Sequence, residues 1–220
     1  MTTFTFISKE CFLCGKMGHY ADIGLHNIGK PEDLDGRSIG PERSSIYMLI
    51  KRCISCGYCS PEISSGPSLA AEVINDSSYK KQLNDMSFPD TANAFLCWAI
   101  IQNKIGLYNE AGSASLYAAW VCDDSNEHRD KAIECRKSAI KYLKKAQSLK
   151  QSFCKTKLDE QLLLIDLYRR CGLFKEASAL CEEVQKKSLP ENEEMILMFQ
   201  EDLINQKDQR KHTISEATTQ

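Results

Sequence analysis

The sequence predicts an α+β protein in which a small amino-terminal module, rich in turns, precedes a mainly α-helical domain. Two Cys-x-x-Cys-Gly pairs, Cys11–Gly15 and Cys53–Gly57, lie near the start of the 220-residue chain, where most of its glycines are also found. Beyond residue 67, apolar residues recur at the three-and-four spacing of helices that bury one face. The predicted secondary structure therefore changes along the chain from turns and short strands to helices.

A short β-prone run precedes each cysteine pair: Phe4–Ile7 comes before the first and Ile46–Ile50 before the second. The glycine after each pair allows the positive φ that a tight turn around a metal often requires. Two such turns supply four thiolates in a closed tetrahedral shell, which predicts one structural Zn²⁺ in a zinc ribbon. The predicted ligands are Cys11, Cys14, Cys53 and Cys56. A rubredoxin-like iron site uses the same pairs, so the spacing leaves zinc and iron open.

Two more residues near these pairs have the chemistry of metal ligands. Cys59 is a spare ligand, a reactive thiol or a small buried residue, and the presence of four better-placed thiolates favours the buried interpretation. His19 follows Cys14 at the spacing of a Cys-Cys-His-Cys knuckle, but the fourth ligand of that type is replaced by Gly24. We therefore expect neither residue to bind the metal.

Turn-rich segments between and after the two cysteine pairs indicate a loop and a domain boundary. Gly29–Gly36 reads as a polar loop, in which the carboxylates of Glu32, Asp33 and Asp35 are expected to be solvated. Ser64-Ser-Gly-Pro67 marks a boundary. The sequence thus predicts a four-cysteine zinc-ribbon domain over 1–66, a TPR-like α-helical domain over 67–204 and a polar, frayed tail over 205–220.

Helical patterns fill most of the second part. The predicted helices are Ala92–Ile105, Ala111–Cys122, Ser125–Leu149, Leu158–Arg170 and Phe174–Lys187, with a further one from about Pro190 to Gln206. Tyr168, Gly172, Phe174 and Ala177 fall where a TPR hairpin places them, with Gly172 ending its first helix. Since one repeat cannot bury its own faces, the preceding helices are expected to supply degenerate neighbours.

The order of these motifs resembles a bacterial domain-of-unknown-function family that joins an N-terminal four-cysteine zinc ribbon, with rubredoxin-like knuckles, to TPR-like helical hairpins. The resemblance spans roughly residues 9–187. It rests on both cysteine pairs and on Asp35-Gly-Arg, Pro41, Tyr47, Ala114–Trp120 and Leu167–Ala177. It implies the fold and a zinc site formed by the same four cysteines, and it implies little about biochemical role.

The sequence predicts a non-enzymatic, zinc-binding protein-interaction module, an adaptor or scaffold that holds a protein or peptide on a TPR-like surface. It contains no Gly-rich phosphate loop, His-Glu-x-x-His motif or Gly-x-Ser-x-Gly elbow. Residues 1–66 carry seven basic and seven acidic residues, a balance that argues against the alternative of a nucleic-acid-binding regulator. An iron electron carrier is the other alternative.

The location and partners of the protein are predicted from what the sequence lacks. It contains no apolar run long enough for a membrane span and no secretory signal, so we expect a cytoplasmic protein without a membrane partner. The odd total of 11 cysteines favours reduced thiols over disulfides. The sequence does not indicate an oligomeric state.

Overall fold

A computed structural model describes residues 4–23, 32–38 and 41–219 of the chain. It divides into two compact units, one comprising residues 1–27 and 41–151 and the other comprising residues 28–40 and 152–220. The α+β class is confirmed, since short strands near the amino terminus precede a mostly helical chain. The domain boundary expected between residues 66 and 67 falls inside the first unit.

The first unit begins with two small antiparallel hairpins. Strand β1, Phe4–Glu10, pairs with β2, Met17–Ile23. A short helix α1, Pro41–Ser44, leads into a 3₁₀ turn, and the second hairpin then pairs β3, Lys51–Arg52, with β4, Cys59–Ser60. Each hairpin places a Cys-x-x-Cys-Gly segment at its turn.

The strand predicted over Ile46–Ile50 is wrong. Ile46–Leu49 forms the 3₁₀ turn, closed by the Met48 backbone N–H donating to the Ser45 carbonyl at 2.9 Å. Ile46, Met48 and Ile50 are buried while the residues between them are exposed. This alternation resembles the two-residue period of a strand, which explains why the sequence pattern indicated one.

Five further helices lie in the described part of the first unit. They are α2 (Ala70–Val73), α3 (Ser77–Leu83), α4 (Asp90–Lys104), α5 (Tyr108–Asp123) and α6 (Arg129–Ser148), with a 3₁₀ turn at Asn126–His128 before α6. The core includes Tyr58, Tyr79 and Phe95, each at most 2% exposed. The three long helices were predicted from their periodicity, whereas α2 and α3 were not.

The second unit is built from helices α7 (Lys157–Arg170), α8 (Phe174–Gln185), α9 (Glu191–Asn205) and α10 (Ile214–Thr218). Helix α7 begins at a capping box, in which Thr156 and Asp159 exchange side-chain-to-backbone hydrogen bonds of 3.0 and 3.1 Å. The predicted hairpin of α7 and α8 is present, with Gly172 between the two helices. None of the described helices combines the length and apolar character needed to cross a bilayer.

The expectation of solvated carboxylates in the 29–36 loop is wrong for Asp33 and Asp35, which are 4% and 2% exposed; residues 29–31 lie outside the described residues. Asp35 forms an ion pair with Arg170 of α7 at 2.7 Å, and Asp33 forms a β-bridge with Thr213. The segment 32–38 is therefore a structural part of the second unit rather than an exposed loop.

The chain after α9 is also integrated into the second unit, where the sequence predicts a polar tail. The buried Arg169 of α7 donates to the backbone carbonyls of Asp208 and Arg210 at 2.6 and 2.9 Å. Thr213 and Glu216 form a second capping box, which begins α10. We call residues 206–219 the carboxyl-terminal segment.

Candidate metal centre

The two cysteine pairs occupy equivalent places in the two hairpins of the first unit. The first pair lies between the β1 and β2 ends at Glu10 and Met17, and the second between the β3 and β4 ends at Arg52 and Cys59. The first strand of each hairpin ends one residue before the first cysteine of its pair, and the second strand begins three residues after the second cysteine. The hairpins thus set the direction in which each pair faces.

The same hydrogen bonds shape both turns. The Gly15 N–H donates to the Cys11 carbonyl at 2.9 Å, and the Gly57 N–H donates to the Cys53 carbonyl at 2.8 Å. Both glycines have positive φ, of 69° and 77°, where a side chain would be strained. The expectation from the sequence that these glycines allow a tight turn is confirmed.

The structure brings four sulfur atoms together. The Sγ atoms of Cys11, Cys14, Cys53 and Cys56 all lie within 4.8 Å of one another. Across the two turns, Cys11 and Cys56 are 3.7 Å apart, and Cys14 and Cys53 are 3.6 Å apart.

These separations fit a metal site better than a disulfide. Four sulfurs at the usual zinc–sulfur distance of about 2.3 Å form a tetrahedron with edges of about 3.8 Å, whereas bonded sulfurs are about 2.05 Å apart. The set of donors is therefore chemically and geometrically suited to one tetrahedral metal ion, and the distances alone do not identify the metal.

The four cysteines are only partly buried. Cys11 and Cys53 are buried, Cys56 is half-buried and Cys14 is exposed. Burial raises the pKa of Cys53, but the backbone N–H groups of Cys56 and Ser55 and the Cys14 side chain together lower that pKa to about 7. Burial raises the pKa of Cys11 and of Cys56. Because like charges this close oppose one another, four thiolates require a cation among them.

Residues outside the cysteine pairs brace the second turn. The Tyr79 hydroxyl of α3 donates to the Gly57 carbonyl at 2.9 Å and accepts from the Cys59 N–H at 3.1 Å. Tyr79 is fully buried, so this contact ties the turn to the helical part of the unit. The sequence analysis missed it, because no local pattern links a tyrosine to a turn more than 20 residues before it.

The first turn and β1 are also fastened to the segment that follows β4. The Phe12 N–H of the first turn donates to the carbonyl of Ile63, which follows β4, at 2.9 Å. Lys9 of β1 pairs with Glu62 at 2.5 Å, and this contact, together with hydrogen bonds from Ser64, lowers the pKa of Glu62 to about 2. Protein contacts thus support the approach of the four sulfurs.

Cys59 and His19 lie outside the four-sulfur set. Cys59 is fully buried, as the sequence favoured, and its thiol donates to the Gly57 carbonyl at 3.5 Å. His19 is exposed on β2, where its Nδ1 lies 2.9 Å from the Ser8 hydroxyl.

Comparisons with known proteins add no assignment to this geometry. No family model, curated protein or solved structure matches the chain. The resemblance drawn from the sequence motifs therefore stays a prediction.

Proposed function

We propose that the four cysteines hold one structural Zn²⁺ and that the protein is a non-enzymatic protein-interaction module. The observation that carries this proposal is the closed set of four sulfurs, which leaves no ligand position for a substrate. When bound, the ion supplies positive charge and a crosslink between the two hairpins. Cys11 and Cys14 would hold it from one side and Cys53 and Cys56 from the other.

Exposed apolar side chains at the two turns support the interaction role. Phe12 and Ile54 each follow the first cysteine of a pair, and they are 43% and 95% exposed. Two apolar side chains displayed at equivalent positions of a crosslinked scaffold suit contact with another protein. The helical hairpin of α7 and α8, interpreted as TPR-like, offers a further surface of the kind that binds peptides.

A capture experiment from the native cell tests this role. The immobilised, metal-loaded chain is compared with a Phe12→Ser, Ile54→Ser variant and with a Met86→Ser control, since Met86 is 89% exposed elsewhere. We expect a partner at near-stoichiometric yield with the wild type and the control, and its loss with the double variant. Recovery of no protein above blank resin, or catalytic turnover by the purified chain, would contradict the proposal.

An iron electron carrier is the second candidate, because the exposed Cys14 would bring an electron donor or acceptor close to the metal. The two metals differ in colour: Zn²⁺ is d¹⁰ and silent in the visible range, whereas ferric iron in four thiolates absorbs strongly. We expect the protein purified without added metal to be colourless. A visible thiolate-to-iron band would favour the electron carrier.

We also propose that the protein works in a reducing compartment such as the cytoplasm. None of the 11 cysteines forms a disulfide. Persistent thiols in this number are typical of proteins kept from oxidising surroundings.

A further inference from the structure

Helix α6 is strongly basic after Glu134. Between Glu134 and Asp159 the sequence contains no acidic residue. We define the lysine strip as Lys137, Lys141, Lys144 and Lys145, which are all exposed. With 3.6 residues per turn, these positions fall within about a 100° arc on one face of the helix.

The lysine strip has no carboxylate partner in the described part of the chain. Of the basic side chains of α6 after Glu134, Arg136 has a carboxylate partner: it is buried and pairs with Asp123 of α5. Lys145 lies 5.9 Å from the centre of the Tyr108 ring, which leaves its charge uncompensated. The strip is therefore a row of cationic groups facing outward.

The helix dipole explains only part of this arrangement. Cations near a helix carboxyl terminus are stabilising, but the effect falls off within the last turn. Helix α6 ends at Ser148, so Lys137 and Lys141 lie about two or three turns from its end. These two lysines call for another explanation.

The character of the exposed face distinguishes the candidate partners. The exposed residues of α6 are all polar: Arg129, Asp130, Glu134, Lys137, Lys141, Lys144, Lys145, Gln147 and Ser148. Exposed ion pairs alone, without apolar contacts, would contribute little free energy to the binding of an acidic protein segment. An anionic bilayer holds an amphipathic helix by a broad apolar face, which the exposed side of α6 lacks; the exposed Leu149 just after its end is a single side chain.

A nucleic acid can bind the lysine strip without apolar contacts, because each neutralised phosphate releases condensed counterions and so contributes binding free energy. We propose that the lysine strip binds the phosphate backbone of a nucleic acid independently of its sequence. This surface is separate from the four-sulfur set, and the proposal does not depend on the interaction role proposed above.

The test uses the full, metal-loaded chain and a fluorescein-labelled 20-base-pair DNA duplex. The strip variant is Lys141→Gln, Lys144→Gln, Lys145→Gln. The control, Lys80→Gln, Lys81→Gln, Lys175→Gln, removes the same charge from exposed lysines of α3 and α8. Circular dichroism and thermal unfolding establish that both variants are folded.

Four phosphate contacts predict that log K falls against log[KCl] with a slope of about −3.6, an affinity loss of about 10²-fold from 50 to 200 mM. We expect the control to behave like the wild type. The strip variant should bind at least tenfold more weakly at 50 mM, with a slope reduced by about 3.

Three results would overturn the proposal. The first is no binding of the duplex by the wild type at 50 mM KCl, and the second is an equal loss in the strip and control variants. The third is strip-dependent binding of phosphatidylserine vesicles or of a polyglutamate peptide without binding of the duplex, which would assign the strip to a membrane or to an acidic protein.

Discussion

The surroundings of each thiol decide whether it belongs to the candidate metal centre. Cys14 and Cys59 differ in their surroundings: Cys14 faces three other sulfurs, whereas Cys59 is packed inside the core and donates to a backbone carbonyl. A four-sulfur shell is complete without Cys59. Substitution of Cys14 should therefore reduce metal binding, whereas substitution of Cys59 should not.

We predict that Cys14→Ser lowers the bound metal well below one ion per chain, because serine does not replace a thiolate ligand. Cys59→Ala should keep one ion per chain and cost only about 1 kcal/mol of stability, for a small loss of buried volume. Metal analysis by mass spectrometry of both purified proteins measures the difference. Equal metal content in the two variants would show that the ligands are wrongly assigned.

The sequence predicted that the four cysteines come together at two glycine turns, because such a turn is encoded within five consecutive residues. It did not predict Tyr79, whose role depends on the packing of α3 against the second turn. It also misplaced Asp33 and Asp35, since polar residues in a Gly- and Pro-containing stretch are usually solvated. A motif of a few consecutive residues can be recognised in the sequence, whereas contacts between distant residues cannot.

At the scale of elements, long helices were predictable and short ones were not. Helices α4 to α9 have enough turns for their periodicity to stand out, whereas α2 and α10 have only four and five residues. The segment 32–38 is held through Asp35 and Arg170, which are 135 residues apart in the chain. Such a pairing has no sequence signature.

Asp35→Asn should destabilise this part of the second unit by about 3 kcal/mol, because it removes one charge of a buried ion pair. Hydrogen exchange should show loss of protection in peptides covering 32–38 and the end of α7. Asp202→Asn, at an exposed position of α9, is the matched control and should change neither peptide. Unchanged exchange in Asp35→Asn would mean that the pair does not hold the segment.

The carboxyl-terminal segment should lose stability in acid. The Arg210 side chain, its backbone N–H and His212 hold the pKa of Asp208 below its ordinary value. Since the folded pKa is depressed, this stabilisation is complete above the ordinary carboxyl pKa of about 4 and is lost as the pH falls through the folded value.

We expect amide protection of residues 207–217, corrected for intrinsic exchange rates, to decrease from pH 6 to pH 3. Asp208→Asn should lower protection at pH 6 and flatten the pH dependence. A weaker residual dependence should come from Glu216, whose pKa is lowered by the backbone N–H of Thr213. The same pH dependence in wild type and variant would rule out Asp208 as its source.

At the scale of the whole molecule, the metal should matter most to the first unit. Its first hairpin is a two-stranded sheet, which is at best marginally stable in water by itself, and β3 and β4 of the second have only two residues each, so hydrogen bonds between strands contribute little. A structural zinc site contributes on the order of 10 kcal/mol to folding. The hairpins should therefore depend on the ion more than on their own strands.

Removal of the metal with a strong zinc chelator should abolish exchange protection in residues 9–23 and 51–63. Added Zn²⁺ should restore it, while Mg²⁺, which prefers oxygen ligands, should not. Protection in α7 and α8 of the second unit provides the internal reference. Retained protection of both hairpins in demetallated protein would show that protein contacts suffice to hold them.

Zinc K-edge X-ray absorption of protein purified without added metal tests the central claim most directly. The account predicts one zinc per chain, with a first shell of four sulfur atoms at about 2.3 Å and no nitrogen or oxygen ligand. Absence of stoichiometric metal, or a shell containing light-atom ligands, would contradict it.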